Sequence, residues 1–204
     1  MLKKISAGFS AGLLICIGGA VFLSCENRYV GAVLFSVALL CICIKGYSLF
    51  TGKIGFIPEK HSKEEWSVLL LGLLGNTAAT ILGGYALRYA IPAIGENAEV
   101  ICTAKLTQAV PQTFIRALFC GVLMYLAVSI FRDKNTVSGI IFCIPVFILC
   151  GFEHSIADMF YFAASGIVSA KAFGFLWIVI LGNAAGAVLL PYLNPKRKEE
   201  KING

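Results

Sequence analysis

Charge is scarce in this sequence. Of 204 residues only 14% are Asp, Glu, Lys or Arg, while 58% are hydrophobic, and that balance excludes an ordinary soluble domain, in which about a quarter of the residues are charged. Histidine is scarcer still, at two residues. Of the eight cysteines, Cys16, Cys41, Cys43, Cys120, Cys143 and Cys150 sit inside apolar runs, and only Cys25 and Cys102 lie near a polar boundary. Cys41-x-Cys43 projects to two helix faces with no His or second Cys pair nearby, so the cysteines read as packed thiols and no metal is expected. No nucleophile, base and orienting group occur together, which argues against an enzyme, and no cofactor motif is present. No aromatic residues interleave with basic ones, so nucleic acid is not an expected partner. A secretory signal is not expected either: the first apolar run starts at Ile5, is too long for a signal core, and has no A-x-A-like exit before Glu26-Asn27-Arg28.

What the chain does have is long charge-free runs. Ile5 to Cys25 is 21 residues, Trp66 to Leu87 is 22 and Ala172 to Pro195 is 24, each enough to cross a hydrocarbon core of about 30 Å. This is the sequence of an all-α integral membrane protein. Six crossings fit: about 5–25, 30–50, 66–90, 111–131, 136–168 and 171–194. With odd-numbered spans leaving the cytoplasm, 11 of the 17 cations, among them Lys3, Lys4, Lys53, Arg132 and Lys196, fall inside, while Arg28, Arg88, Lys105 and Lys171 fall outside. The net charge of +6 is therefore a topology signal, placing both termini in the cytoplasm of a multi-pass protein of the inner (plasma) membrane.

Two crossings are irregular. The second is interrupted by Lys45, Gly46, Ser48, Thr51, Gly52 and Lys53, and resumes weakly at Ile54 to Ile57. The fifth joins an apolar piece, Asn135 to Phe152, to a second one, Met159 to Ala170, through the polar knot Glu153-His154-Ser155-Ile156-Ala157-Asp158. Unwound backbone is tolerated at membrane depth only where protein buries it or water lines it, so such breaks mark sites. The motif Leu74-Gly75-Asn76 recurs as Leu181-Gly182-Asn183, 107 residues later. Two three-span halves, each with a broken second span and a Gly-Asn in its third, insert with opposite orientation because three is odd. The expected domain is a single membrane channel over 1–204, with inverted repeats at about 5–90 and 111–194, an extracellular linker at 91–110 and a cytoplasmic tail at 195–204.

An intramembrane His beside a carboxylate is costly and points to function, since a neutral imidazole can give or take a proton there. The alternative is a His with both nitrogens hydrogen-bonded that merely pins the break. The residues Gly151 to Met159 and Leu49-Phe50-Thr51-Gly52, the Gly-Asn pairs at Asn76 and Asn183, and Gly121 to Val128 resemble the formate/nitrite transporter family over nearly the whole chain. The first stretch matches the family's GFEHS-x-A-N-M signature except at Asp158. The resemblance implies a homopentamer of aquaporin-like protomers in the lipid bilayer. Each would carry a pore for a small monovalent anion or its conjugate acid, such as formate, nitrite, hydrosulfide or a short carboxylate.

Carried over by position, His154 is similar to the family's pore histidine and Thr51 to the hydroxyl on the opposing break. Phe35, Leu39, Phe50, Val128 and Phe147 fall at its constrictions. Glu153 is expected to anchor the broken backbone, and Asn76 and Asn183 to tie a helix to the facing break. Several positions depart from the family. Tyr125 and Asp158 stand where it carries Asn, Ser48 where it carries an acid, and Ala109 where it carries an anion-attracting lysine. Lys45, unusual inside a span, is expected either to supply that positive potential or to pair with Asp158, against a lysine that merely snorkels. Arg116 is expected at an interface between protomers. Only four residues precede Ile5, so the cytoplasmic amphipathic helix the family uses as a gate is not expected. Two other readings stay open: a pore for a neutral solute or ammonium, favoured by the extra carboxylate of Asp158, and a membrane protein that keeps the fold without transport.

Overall fold

Apolar runs become helices because a chain in lipid has to satisfy its own backbone polar groups. The computed structural model describes residues 1–194, so the basic residues from Lys196 to Lys201 lie outside the described residues. The helices are α1 (Leu2–Ser24), α2 (Arg28–Lys45), α3 (Phe50–Lys53), α4 (Lys63–Ala90), α5 (Pro92–Leu106), α6 (Val110–Lys134), α7 (Ser138–Leu149), α8 (Ser155–Ser165) and α9 (Ala170–Leu193), with a 3₁₀ turn at Ile54–Phe56 after α3. Among the described residues five helices, α1, α2, α4, α6 and α9, are long and apolar enough to cross a membrane, and α7 is apolar but shorter. The starts of α2, α4 and α9 are set by side chains that accept orphan N–H groups: Asn27 from Tyr29 and Val30, Ser62 from Glu65, and Ser169 from Ala172.

The expected extracellular linker holds a helix of its own. Proline at its first turn is pre-set for helical φ and has no N–H to orphan, and α5 so begun packs against α8. Inside the molecule α1 lies on α4, and α6 on α9, at distances only glycine permits. A Cβ on Gly75 would strike the Ile5 carbonyl, and one on Gly186 the Leu118 carbonyl. Small residues let membrane helices approach closely, and dispersion then holds them. The helix so enclosed is α8, all of whose residues are buried, with α1, α3, α4, α5 and α9 around it. Its far end is held by Arg88, which donates to the Ser165 carbonyl. The outer faces carry exposed Val33, Leu70, Leu74, Phe142, Trp177 and Leu181, a surface that suits lipid and not water.

Both irregular stretches are breaks, shifted from where the polar residues alone put them. The unwound residues are 46–49 and 150–154. Thr51, Gly52 and Lys53, expected in the interruption, form α3, and Ser155 to Asp158, expected in the polar knot, form the first turn of α8. The shift has a local cause: His154 turns its own side chain into an N-cap and starts a helix that polarity alone would not place there.

Candidate functional site

The two breaks are made by one device used twice. Gly46, with φ of 69°, ends α2, its N–H bonding to Cys43 O at 3.2 Å and that of Tyr47 to Ile42 O at 3.0 Å. Gly151, also at φ 69°, ends the turn after α7, with Gly151 N–H to Ile148 O at 3.1 Å and Phe152 N–H to Phe147 O at 2.9 Å. Both are Schellman endings, which need a left-handed residue that glycine supplies without a Cβ penalty. The residues that follow would have unpaired backbone, and a buried asparagine serves each. Asn76 accepts from Phe50 N–H at 2.9 Å and donates to Gly8 O at 2.8 Å and Ser48 O at 2.9 Å. Asn183 accepts from Ser155 N–H and donates to Ala117 O and Glu153 O, each at 2.8 Å. Each amide so satisfies one break and ties it to a third helix.

The breaks meet at Thr51 and His154, whose Oγ1 and Nε2 lie 2.8 Å apart with both residues buried. The ring's other nitrogen, Nδ1, accepts from Ala157 N–H at 3.1 Å. An acceptor nitrogen carries no hydrogen, so the neutral imidazole has its proton on Nε2, which donates to Thr51 Oγ1. The hydroxyl of Thr51 then keeps its own proton for another acceptor. Phe147 stacks on the His154 ring with centroids 5.6 Å apart, and Phe35 meets Phe147 edge-on at 6.2 Å.

Two cavities draw on opposite ends of the same helices. One, of about 640 Å³, takes Arg28 from the start of α2 and Gln112 and Arg116 from the start of α6, and reaches Phe147, His154 and Asp158. The other, of about 360 Å³, takes Cys43 from the end of α2 and Phe131 and Arg132 from the end of α6, and reaches Leu39, Gly52 and Val128. Phe35, Phe50 and Thr51 are buried and line neither. The five apolar residues named for a constriction are thus distributed, with Phe147 on the first cavity, Leu39 and Val128 on the second, and Phe35 and Phe50 on neither.

Beside His154 is a buried ion cluster that no sequence pattern announces. Lys105 of α5, its side chain 13% exposed, donates to Glu153 and lies 3.0 Å from Asp158 Oδ1, both carboxylates being 1% exposed. Gln108 Nε2 donates to the other Glu153 oxygen at 2.7 Å. The Glu153 carboxylate faces α5, tied there by Lys105 and Gln108, while Asn183 holds the backbone of the break. Lys45 does not pair with Asp158. It is exposed at the end of α2, lines neither cavity, and the cation on Asp158 is Lys105. Arg116, expected at an interface, borders the 640 Å³ cavity. Tyr125 packs on Phe56, ring centroids 5.2 Å apart, and lines neither cavity. Gln108, just past the end of α5, is a site residue that sequence reasoning missed, and no spacing in the sequence marked it. No group of three His, Cys, Asp or Glu able to hold a metal occurs among the described residues.

The sequence model of a family described as formate/nitrite transporter matches residues 1–194. The chain is 26% identical to the nitrite transporter NirC of Salmonella typhimurium, over 96% of this chain and 83% of that protein. It is 28% identical to a probable formate transporter of Methanothermobacter thermautotrophicus, over 90% and 74%. Formate-nitrite transporter 2 of Toxoplasma gondii is 29% identical over 80% of this chain, which spans only 40% of that longer protein. In fold, a solved FNT family ion channel superposes with a TM-score of 0.76 at 24% identity, over 94% of this chain and 88% of the other. A pentameric formate channel with formate bound superposes with a TM-score of 0.77 at 22% identity, over 94% of both.

Proposed function

The chain belongs to the formate/nitrite transporter family, and we propose that within it the protein is a channel passing a small monovalent anion as its conjugate acid, with His154 as proton donor and acceptor. Formate, nitrite, hydrosulfide and short carboxylates are the substrate class. The observation that carries this reading is the buried 2.8 Å contact of His154 Nε2 with Thr51 Oγ1, made where the two breaks meet and adjoining a cavity. In this reading His154 first takes a second proton from the cavity and then gives one to an incoming anion, so that the ring returns to the neutral imidazole and the anion is neutralised before the apolar stretch of Phe35, Leu39, Phe50, Val128 and Phe147. An unpaired ion there would face a desolvation cost of several kcal/mol.

The architecture we propose with it is six crossings in two inverted repeats, 5–90 and 111–194, α7 and α8 together forming the fifth. Residues 91–110 would be the extracellular linker and 195–204 the cytoplasmic tail of a single membrane domain. Both termini face the cytoplasm of the plasma membrane, and five copies assemble, as in the pentameric formate channel of similar fold. Lys45, exposed at the end of α2, is a lysine at the inner boundary in this arrangement.

Proteoliposome flux tests the reading. His154→Ala should lower formate, nitrite and hydrosulfide uptake about tenfold to a hundredfold, the worth of one lost hydrogen bond to a charged group. Uptake by His154→Ala equal to that of the wild type at every pH between about 5 and 8 would remove the proton role. A second reading, a pore for ammonium or a neutral solute, is favoured by the carboxylate of Asp158 on the wall of the 640 Å³ cavity; stopped-flow swelling with ammonium against formate separates the two.

A further inference from the structure

Lys105 is one cation serving two buried carboxylates. If both were ionised the cluster would hold one uncompensated negative charge in a buried site, which is among the costliest arrangements a protein interior can keep. The two acids differ in a way that identifies which gives up its charge. Both oxygens of Glu153 are engaged, one by Lys105 and one by Gln108. Asp158 has Oδ1 on Lys105, while its Oδ2 is buried without any hydrogen-bond partner, on a residue lining the same cavity as His154. A buried oxygen without a partner is far costlier on a charged carboxylate than on a neutral carboxylic acid, so the bare Oδ2 marks Asp158 as the acid that keeps its proton. The other ionisable groups around it do not supply the missing charge. Cys102, Cys120 and Tyr161 lie in its field. Arg28 and Arg116 line the same cavity, but Arg28 donates to the Ile148 carbonyl at 3.1 Å and neither forms an ion pair with Asp158 or Glu153; Arg88 is engaged with Ser165.

We propose that Asp158 is a carboxylic acid with its proton on Oδ2, and that in this chain it is Asp158 that first hands a proton to the entering anion. The inference rests on the transport reading above and assigns the outer proton donor within it. The step balances: the Oδ2–H bond breaks, an O–H or S–H bond forms on the substrate, and the negative charge passes to Asp158, a costly and therefore short-lived state in which Lys105, 3.0 Å away, is shared between the two carboxylates. A proton from the outer medium, arriving through the cavity, then restores the Oδ2–H. The position is chemically set for this, one turn into α8 from His154, with the Asp158 N–H bonded to the His154 carbonyl at 2.8 Å.

Infrared spectroscopy of the full chain in lipid reads the proton directly, whether or not the protein transports anything. At neutral pH the wild type should show a protonated-carboxyl C=O band that Asp158→Asn abolishes and Asp158→Glu moves without abolishing. A wild type without such a band, or one whose band survives Asp158→Asn, overturns the proposal. In proteoliposomes Asp158→Asn should lower formate and nitrite uptake about tenfold, the worth of one charge-assisted hydrogen bond. An ionised Asp158 predicts the reverse, since removing a repelling charge would raise anion uptake. If the wild type carries no small anion at all, the transport reading fails, while the infrared band still decides where the proton is.

Discussion

Thr51 and His154 stand 103 residues apart and touch at 2.8 Å inside the protein, so the contact depends on one methyl-sized hydroxyl. Thr51→Val keeps the shape and removes the partner of Nε2. A buried ring donor left unpaired costs about 1–3 kcal/mol. We expect the variant to melt earlier in detergent and to lose flux, and Thr51→Ser to recover both. A Val variant with wild-type flux would mean that the hydroxyl takes no part in holding or relaying the proton. His154 was legible from the residues themselves because an ionisable side chain inside an apolar run is costly and points to function, whereas Thr51 was singled out from its interruption by the family resemblance alone. Lys105 was visible only as one of the cations outside the crossings, and its partners were not, because an ion pair spanning 48 residues leaves no periodic trace. Lys45 misled for the complementary reason: nothing in the residues beside it shows that its side chain is exposed and that the cation on Asp158 is Lys105.

At the scale of elements, each break combines a left-handed glycine with a buried asparagine, and the two parts can be tested separately. Gly46 has φ of 69° and nothing within 4 Å of an added Cβ, so Gly46→Ala should cost only the left-handed strain, about 1–2 kcal/mol. Gly174 has equally open space without that backbone, and Gly174→Ala is the control, expected to be neutral. Asn183→Leu removes partners from Ser155, Ala117 and Glu153 at once. Each orphaned buried group costs about 1–3 kcal/mol, so its melting temperature should fall well below that of Gly46→Ala. Equal losses in the two variants would mean the amide is not what holds the break. The repeated Gly-Asn motif made this arrangement readable. The exact unwound residues were not, since capping by His154 depends on a side chain turning back on its own helix, and polarity cannot distinguish that from a loop.

For the whole molecule the informative feature is what separates the two cavities. They open at opposite ends of α2 and α6, and between them the side chains are apolar or neutral, with Phe35 at 2% and Phe50 at 5% exposure. Cations border both mouths, Arg28 and Arg116 on one, Lys53 and Arg132 on the other. In the proposed reading, cations at both ends, with none between them among the described residues, would gather an anion and then offer it no partner on the way through. A bare anion crossing that stretch would meet the full desolvation cost, whereas its conjugate acid would not. Transport should therefore carry no net charge. Clamping the potential of proteoliposomes with potassium and valinomycin should leave formate uptake unaltered, while an inward proton gradient should drive it. A current that scales with formate uptake would show that the anion passes unprotonated, and would remove His154 and Asp158 from the path of the proton together.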